Sequence, residues 1–128
     1  VCYLDGEQTH SFEIVPEEVG IARCSSSEIA ALETLEQEAL RFFSVVSGQG
    51  TFRECEEFTA LNAGAILWME GVSPSISAGV SDARHALATG AAVDTLRAWC
   101  ASQGHDDGSG LKKLSLLEKW VLSRKHAG

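Results

Sequence analysis

Short apolar runs separated by turn-forming residues dominate the first 80 positions of the chain. Each run is a few residues long and rich in β-branched or aromatic side chains, a composition typical of strands. The runs are SFEIV (11–15), VGIARCS (19–25), LRFFSVV (40–46), TFREC (51–55), EFTAL (57–61), AILWM (65–69) and SISAGV (75–80). Regularly spaced short strands with glycines between them predict a mainly-β sandwich or barrel.

Residues 28–40 follow a different pattern. Ser25 and Glu28 have the spacing of a capping box, and the segment behind them is rich in Ala, Glu and Leu. Its apolar side chains recur at helical spacing, at Ile29, Leu32, Leu35 and Ala39. Local propensity therefore predicts a helix, whereas a barrel would require part of the segment to be a strand. The sequence leaves these two alternatives open.

Two amphipathic helices are predicted after Ala88. The first carries Val93, Leu96 and Cys100 on one side, and the second begins near Ser109, a suitable N-cap. The apolar stripe of the second helix consists of Leu111, Leu114, Leu117 and Val121. We predict a single domain with a barrel at 1–88 and a two-helix extension at 89–128. Residues 109–123 should dock on the barrel or on a partner subunit.

The segment Gly48-Gln49-Gly50 raises a choice between a turn and a phosphate-binding loop. A phosphate-binding glycine loop needs a helix directly behind it, whose backbone N–H groups face the anion. The residues that follow, TFREC, have strand composition, and the lysine of a Walker loop is absent. The sequence therefore favours a hairpin turn in which glycine supplies positive φ.

The stretch 36–80 resembles the cupin family. Gly48, Gly50, Gly64, Gly71 and Pro74 carry this resemblance, together with the apolar runs between them. The resemblance implies a small jelly-roll β-barrel. A metal-binding cupin would place histidines and a glutamate near the following positions, none of which is a histidine: Thr34, Glu36, Arg41, and Pro74 or Ser75. His10, His85, His105 and His126 form no ligand spacing, so no metal and no cofactor are predicted.

An open barrel interior would have four candidate ligand-binding residues. Arg41 and Phe43 alternate onto one face of the run 40–46, and Trp68 and Glu70 lie at the end of the run 65–69. Arg41 would meet an anionic ligand and Trp68 would form an apolar wall. In the alternative interpretation Arg41 is an exposed strand residue and Trp68 belongs to the core. No catalytic residues can be assigned from the sequence.

Charge and cysteine content limit the binding partners and the cellular location that can be expected. The chain has a formal charge of −8, and residues 1–80 hold 13 Asp or Glu against three Arg. Such an acidic surface repels phosphate backbones, so no nucleic acid is expected. The four cysteines form no C-x-x-C pair, no apolar run approaches membrane-spanning length, and no signal peptide is visible. We therefore expect free thiols, no membrane contact, a cytoplasmic location and a homodimer.

These observations define three classes of function. The first is a metal-free, cupin-like domain that binds or senses a small molecule. The second is a metal-free enzyme of the isomerase, epimerase or cyclase type. The third is a structural or assembly protein whose barrel is filled by side chains.

Overall fold

The computed structural model describes residues 1–103 and 108–125, and these residues are mainly helical. They form one antiparallel β-hairpin and five α-helices, with single-turn 3₁₀ helices at Pro16–Val19 and Ser26–Glu28. The elements are β1 Cys2–Asp5, β2 Gln8–Ser11, α1 Leu35–Val46, α2 Arg53–Met69, α3 Ile76–Thr89, α4 Ala91–Ser102 and α5 Ser109–Lys125. The predicted mainly-β, jelly-roll barrel is therefore wrong.

Helix α1 begins at a capping box formed by Thr34 and Gln37. The Thr34 hydroxyl accepts the Gln37 N–H at 3.2 Å, and the Gln37 side chain accepts the Thr34 N–H at 3.1 Å. The predicted capping box, of Ser25 and Glu28, lies earlier in the chain, where the Ser25 N–H donates to Glu28 at 2.6 Å. Since that contact encloses only a 3₁₀ turn, residues 28–40 are neither one helix nor a strand.

The run LRFFSVV is helical because helical spacing buries its apolar side chains. Leu40, Phe43 and Val46 lie three residues apart and pack in one cluster, with Phe43 only 2% exposed. Phe and Val favour strands in isolation, but that preference is weak and is overridden by burial. The runs at 57–61 and 65–69 are also helical and form α2, which buries the small residues Ala60 and Gly64.

Helices α2 and α3 cross in contact at two glycines. A Cβ added to Gly79 would overlap the carbonyl group of Gly64, and one added to Gly64 would lie 2.5 Å from the Val80 nitrogen. Glycine is thus required at both positions by the close approach of two backbones. The loop between the helices is fixed by the buried Ser73, whose hydroxyl donates to Asp82 at 2.6 Å.

Two clusters of buried residues form the core of the described chain. The first core lies between α2, α3 and the N-terminal loop and consists of Ile21, Ala60, Val80 and Ala83. The second core lies between α1, α4 and α5 and consists of Phe43, Val93, Leu114 and Val121. Arg97 on α4 and Glu118 on α5 form an ion pair at 2.5 Å beside the second core.

Gly48-Gln49-Gly50 joins two helices, so the predicted hairpin at this position is wrong. Gly48 and Gly50 both have positive φ, of 59° and 73°. An added Cβ at Gly48 would lie 2.7 Å from the Leu87 carbonyl oxygen, so the loop packs closely on the end of α3. A helix does follow the loop, but its first turn carries Glu54 and Glu56. Acidic side chains there interact favourably with the positive end of the helix dipole, so the dipole itself needs no bound anion.

The C-terminal helices α4 and α5 lie where two helices were predicted. Leu114 and Val121 are buried in the second core, and Leu96, Cys100 and Leu117 pack against it. The proposed division of the chain at residue 88 stays a prediction. Within the described ranges, none of the helices combines the length and apolar character needed to cross a bilayer.

Candidate functional site

A cleft of about 480 Å³ lies between the N-terminal loop and helices α2 and α3. The loop contributes residues from Pro16 to Glu28, and α3 contributes Arg84. Helix α2 contributes Arg53, Glu54, Glu57, Phe58 and Leu61. Clefts of this size are typical of small-ligand sites. The cleft is larger than a second cavity, of about 390 Å³, among the described residues.

Arg84 holds the cleft together. Its guanidinium donates to both carboxylate oxygens of Glu57, and its Nη2 also donates to the Gly20 carbonyl oxygen at 2.9 Å. Gly20 has φ of 77° and ends the first 3₁₀ turn. Both charged side chains are partly buried, which strengthens a hydrogen-bonded ion pair relative to an exposed one. Arg84 therefore fixes the loop to both helices.

The other two arginines of the cleft differ in their partners. Arg23 pairs with Glu17 at 2.6 Å on the exposed rim. The pKa of Glu17 is held below its usual value, first by a hydrogen bond from the backbone of Glu17 itself and second by the Arg23 side chain. Arg53 is exposed, and its side chain forms no ion pair or hydrogen bond with any described residue. Since the lining also includes three glutamates, the cleft is balanced in charge, and Arg53 is the group able to pair with an incoming anion.

An exposed apolar face of α2 continues from the cleft. Phe58, Ile66 and Met69 are all exposed and lie on the side of α2 that also carries Asn62. The spacing of these residues places them on one helix face. We call Phe58, Asn62, Ile66 and Met69 the α2 surface. Phe58 belongs to both the cleft and this surface, so the two features adjoin.

The four predicted ligand-binding residues do not share a barrel interior, because none exists. Arg41 lies on α1, where it pairs with Glu38 at 2.6 Å and donates to the Ala30 carbonyl oxygen at 2.7 Å. The backbone N–H of Leu32 and the Arg41 guanidinium lower the pKa of Glu38. Arg41 thus clamps the preceding loop to its own helix. Phe43, on the same helix, lies in the second core.

Trp68 and Glu70 lie at the C-terminal end of α2. Trp68 packs edge-to-face on Tyr3 and Phe12, with ring centroids 5.2 and 5.4 Å away, and so fixes the β-hairpin to α2. Glu70 is the exposed residue that ends the helix. Neither residue contacts the cleft. Arg84 and Glu57 could not be identified from the sequence, because nothing in their spacing indicates that they meet across two helices.

The positions compared with cupin metal ligands have structural roles here. Thr34 caps α1, and Ser75 caps α3 by accepting the Ala78 N–H at 3.1 Å. His105 and His126 lie outside the described residues. Across residues 1–103 and 108–125, no group of three or more His, Cys, Asp or Glu side chains is placed to hold a metal ion.

Comparison with known proteins identifies the family. The model of the glycosyl transferase family, a/b domain, matches residues 1–93, which include the hairpin, the cleft and helices α1 to α3. The chain therefore belongs to this family. Anthranilate phosphoribosyltransferases of Brucella ovis, Brucella canis and Brucella abortus are each 33% identical to it over 97 residues. The match covers 76% of this chain and 28% of each relative. No solved structure matches the chain.

This family membership corrects the functional prediction. The resemblance to cupins is wrong, and the metal-free cupin-like binding or sensing domain is wrong with it. The alternatives of an isomerase, epimerase or cyclase and of a filled-barrel assembly protein depended on the same barrel. The glycines that suggested a cupin are turn glycines between helices at Gly48, Gly50 and Gly71, and a helix-crossing glycine at Gly64.

Proposed function

We propose that this chain works in a phosphoribosyltransferase that acts on anthranilate, as a helical segment of the a/b domain. The single observation that carries the proposal is the family match over residues 1–93, which the similarity to the Brucella enzymes makes more specific. The chain spans 28% of the length of those relatives. The proposal therefore assigns it a share of the enzyme's fold and not the complete reaction.

The α2 surface supports this proposal. Burial of each large apolar side chain is worth about 1.5–3 kcal/mol, so a row of exposed ones on a helix favours association. Phe58, Ile66 and Met69 present such a row. We propose that the portion of the transferase absent from this chain covers the α2 surface. The occupant would need a complementary apolar face, with one polar group opposite Asn62.

The cleft would then lie at the edge of that junction. A phosphoribosyl group carries a phosphate, and guanidinium groups bind phosphate well because they donate in a planar fork. Arg53 is the cleft arginine without a partner among the described residues, whereas Arg23 and Arg84 are engaged by glutamates. Its position supports a phosphate contact near the junction.

Location and partners form part of the same proposal. We propose a cytoplasmic location, which the four free cysteines support, because disulfides are rare in that compartment. The predicted homodimer, the small-molecule ligand and the absence of nucleic acid stay predictions. If the proposed function is correct, anthranilate would be the predicted small molecule.

The experiment is complementation of a truncated relative. The Brucella ovis enzyme is prepared without the 97 residues that match, and anthranilate consumption is followed by fluorescence with a phosphoribosyl diphosphate donor. We expect activity when this chain is added and none with either component alone. The excised Brucella segment is the positive control. Activity with that segment but not with this chain would contradict the proposal.

A pair of variants tests the α2 surface in the same assay. Ile66→Lys places a charge in the proposed junction, and Leu116→Lys places the same charge on α5. Both side chains are exposed, at 55% and 65%, so both variants should fold. We expect Ile66→Lys to abolish complementation and Leu116→Lys to retain it. Equal activity of the two variants would show that the α2 surface is not the junction.

A further inference from the structure

A second cavity, of about 390 Å³, lies between α1, the Gly48–Gly50 loop and α5. It is separate from the cleft, and it shares none of the cleft's lining residues. One wall comes from α5, which lies beyond residues 1–93 that the family model matches. The cavity is therefore built partly from a helix that the family match does not include.

The described walls of this cavity are mainly apolar and carry no charged side chain. Leu32, Leu40, Phe52, Trp120 and Val121 contribute the apolar lining. Among the described lining residues there is no Asp, Glu, Lys, Arg or His, and the polar ones are amides and hydroxyls. A charged ligand would lose its hydration here without gaining an ion pair, so the walls select an uncharged molecule. Phe52 and Trp120 favour an aromatic ring.

Gln49 gives the cavity one hydrogen-bond acceptor that a ligand could satisfy. Its Nε2 donates to the Ser47 carbonyl oxygen at 3.2 Å. Its Oε1 is buried and has no hydrogen-bond donor among the described residues. A buried acceptor without a donor is unfavourable, and the terminal torsion of glutamine is soft. A small rotation therefore lets a donor in the cavity satisfy Oε1.

We propose that this cavity binds an uncharged aromatic molecule that carries one N–H or O–H donor, with the donor hydrogen-bonded to Gln49 Oε1. The aromatic ring lies between Trp120 on α5 and the apolar side chains of α1 and the loop. Neither the family match nor the proposed transferase function is needed for this inference. It depends on the cavity, its lining and the unpaired Gln49 oxygen alone.

The test uses three flat probes that differ at one group. 2-Naphthol has an O–H donor, 2-methoxynaphthalene has none, and 2-naphthoate is charged. Titration into the full chain is followed by amide chemical shifts. We expect 2-naphthol to shift the Gln49, Thr51 and Trp120 signals and to bind about tenfold more tightly than 2-methoxynaphthalene. We expect 2-naphthoate to bind more weakly than either. Equal affinities, no saturation at millimolar 2-naphthol, or shifts confined to other residues would overturn the proposal.

Two variants separate the hydrogen bond from the apolar wall. Gln49→Met keeps the side-chain length and removes the acceptor, so it should abolish the preference for 2-naphthol. Gln103→Met, at the end of α4, is the matched control and should keep it. Trp120→Ala should weaken both naphthalenes alike, and the chain should tolerate it because Trp120 is 37% exposed. A Gln49→Met variant that still prefers 2-naphthol, with an unchanged melting curve, would contradict the proposed hydrogen bond.

Discussion

The two cores of this chain are packed in different ways. In the first core, small residues let the backbones of α2 and α3 touch at Gly64 and Gly79. In the second core, large side chains from α1, α4 and α5 fill the space between helices that lie further apart, with Phe43 at the centre. We therefore expect the first core to be the more sensitive to added atoms and the second to lost ones.

This difference follows the limit of the residue range that the family model matches. The first core lies wholly within residues 1–93, whereas Leu114 and Val121 of the second core lie on α5, outside the matched range. The close helix crossing also positions the cleft and the α2 surface, since Arg84 on α3 pairs with Glu57 on α2. The cleft and the α2 surface, on which the proposed function depends, are thus positioned by backbone contact between α2 and α3. The uncharged cavity is held by side-chain packing.

The second core should be the more sensitive to truncation of a side chain. Phe43→Ala removes a side chain that is 2% exposed, and such cavities cost about 3–5 kcal/mol. Phe42→Ala is the control next to it, since Phe42 is 54% exposed. Urea unfolding should show a large loss for the first variant and a change within about 0.5 kcal/mol for the second. Equal losses would argue against this assignment of the core.

The first core should be the more sensitive to addition of a methyl group. Gly79→Ala forces α2 and α3 apart, and overpacking of this kind costs about 1–3 kcal/mol. Gly110→Ala adds the same methyl group to a helical position of α5 with open space around it. Because alanine favours helix over glycine, that control should be neutral or more stable by up to about 1 kcal/mol. Thermal melting that ranks Gly79→Ala above the wild type would contradict the close crossing.

The loop between α1 and α2 connects the two cores, and its two glycines should differ. Gly48→Ala meets both positive φ and the Leu87 carbonyl oxygen, whereas Gly50→Ala meets only positive φ. We expect a loss of about 1 kcal/mol for Gly50→Ala and a larger loss for Gly48→Ala. Denaturant midpoints of the two single variants measure the difference. The same loss for both would show that Gly48 is not packed against α3.

The smallest expected effect is a pH dependence at the same loop. Burial raises the pKa of Glu56 above its ordinary value of 4.5, and Glu57 adds to this rise, while the Gly50 N–H opposes it. The folded chain then holds the Glu56 proton more tightly than the unfolded chain. Ionisation of Glu56 therefore lowers stability, beginning near pH 4.5 and complete above the folded pKa.

Glu56→Gln tests this sign because glutamine keeps the oxygen that accepts the Gly50 N–H at 2.7 Å. We expect the variant to melt slightly above the wild type at neutral pH and equally at about pH 3.5. Glu33→Gln, at an exposed loop position, is the control for removal of a charge. A Glu56→Gln variant that is less stable at neutral pH would show that the carboxylate is favourable.

The sequence indicated the C-terminal helices better than the rest of the fold. The stripe of α5 and the spacing of Val93, Leu96 and Cys100 are long, regular and bounded by glycines. The runs between residues 40 and 69 are short and apolar on several sides, so their period does not distinguish a strand from a buried helix. Gly64 lies between two of the predicted strands, although its role is a contact with α3 that no local pattern reveals.

The candidate site was harder still to predict. Arg84 and Glu57 are 27 residues apart, and only the helix crossing brings them together. Arg41 and Trp68 have side chains suited to a ligand, but Arg41 fixes the loop at Ala30 and Trp68 fixes the β-hairpin. Side-chain type alone did not distinguish a group that binds a ligand from one that binds its own chain.

Hydrogen exchange of the full chain and of a variant that ends at residue 107 tests the central claim, that the two cores are separate units of packing. Removal of Leu114 and Val121 uncovers Phe43 and Val93 but leaves the crossing of α2 and α3 untouched. We predict that amides of α1 and α4 lose protection by a large factor while those of α2 and α3 keep theirs. Equal loss of protection in all four helices, or unchanged protection in α1 and α4, would contradict the account.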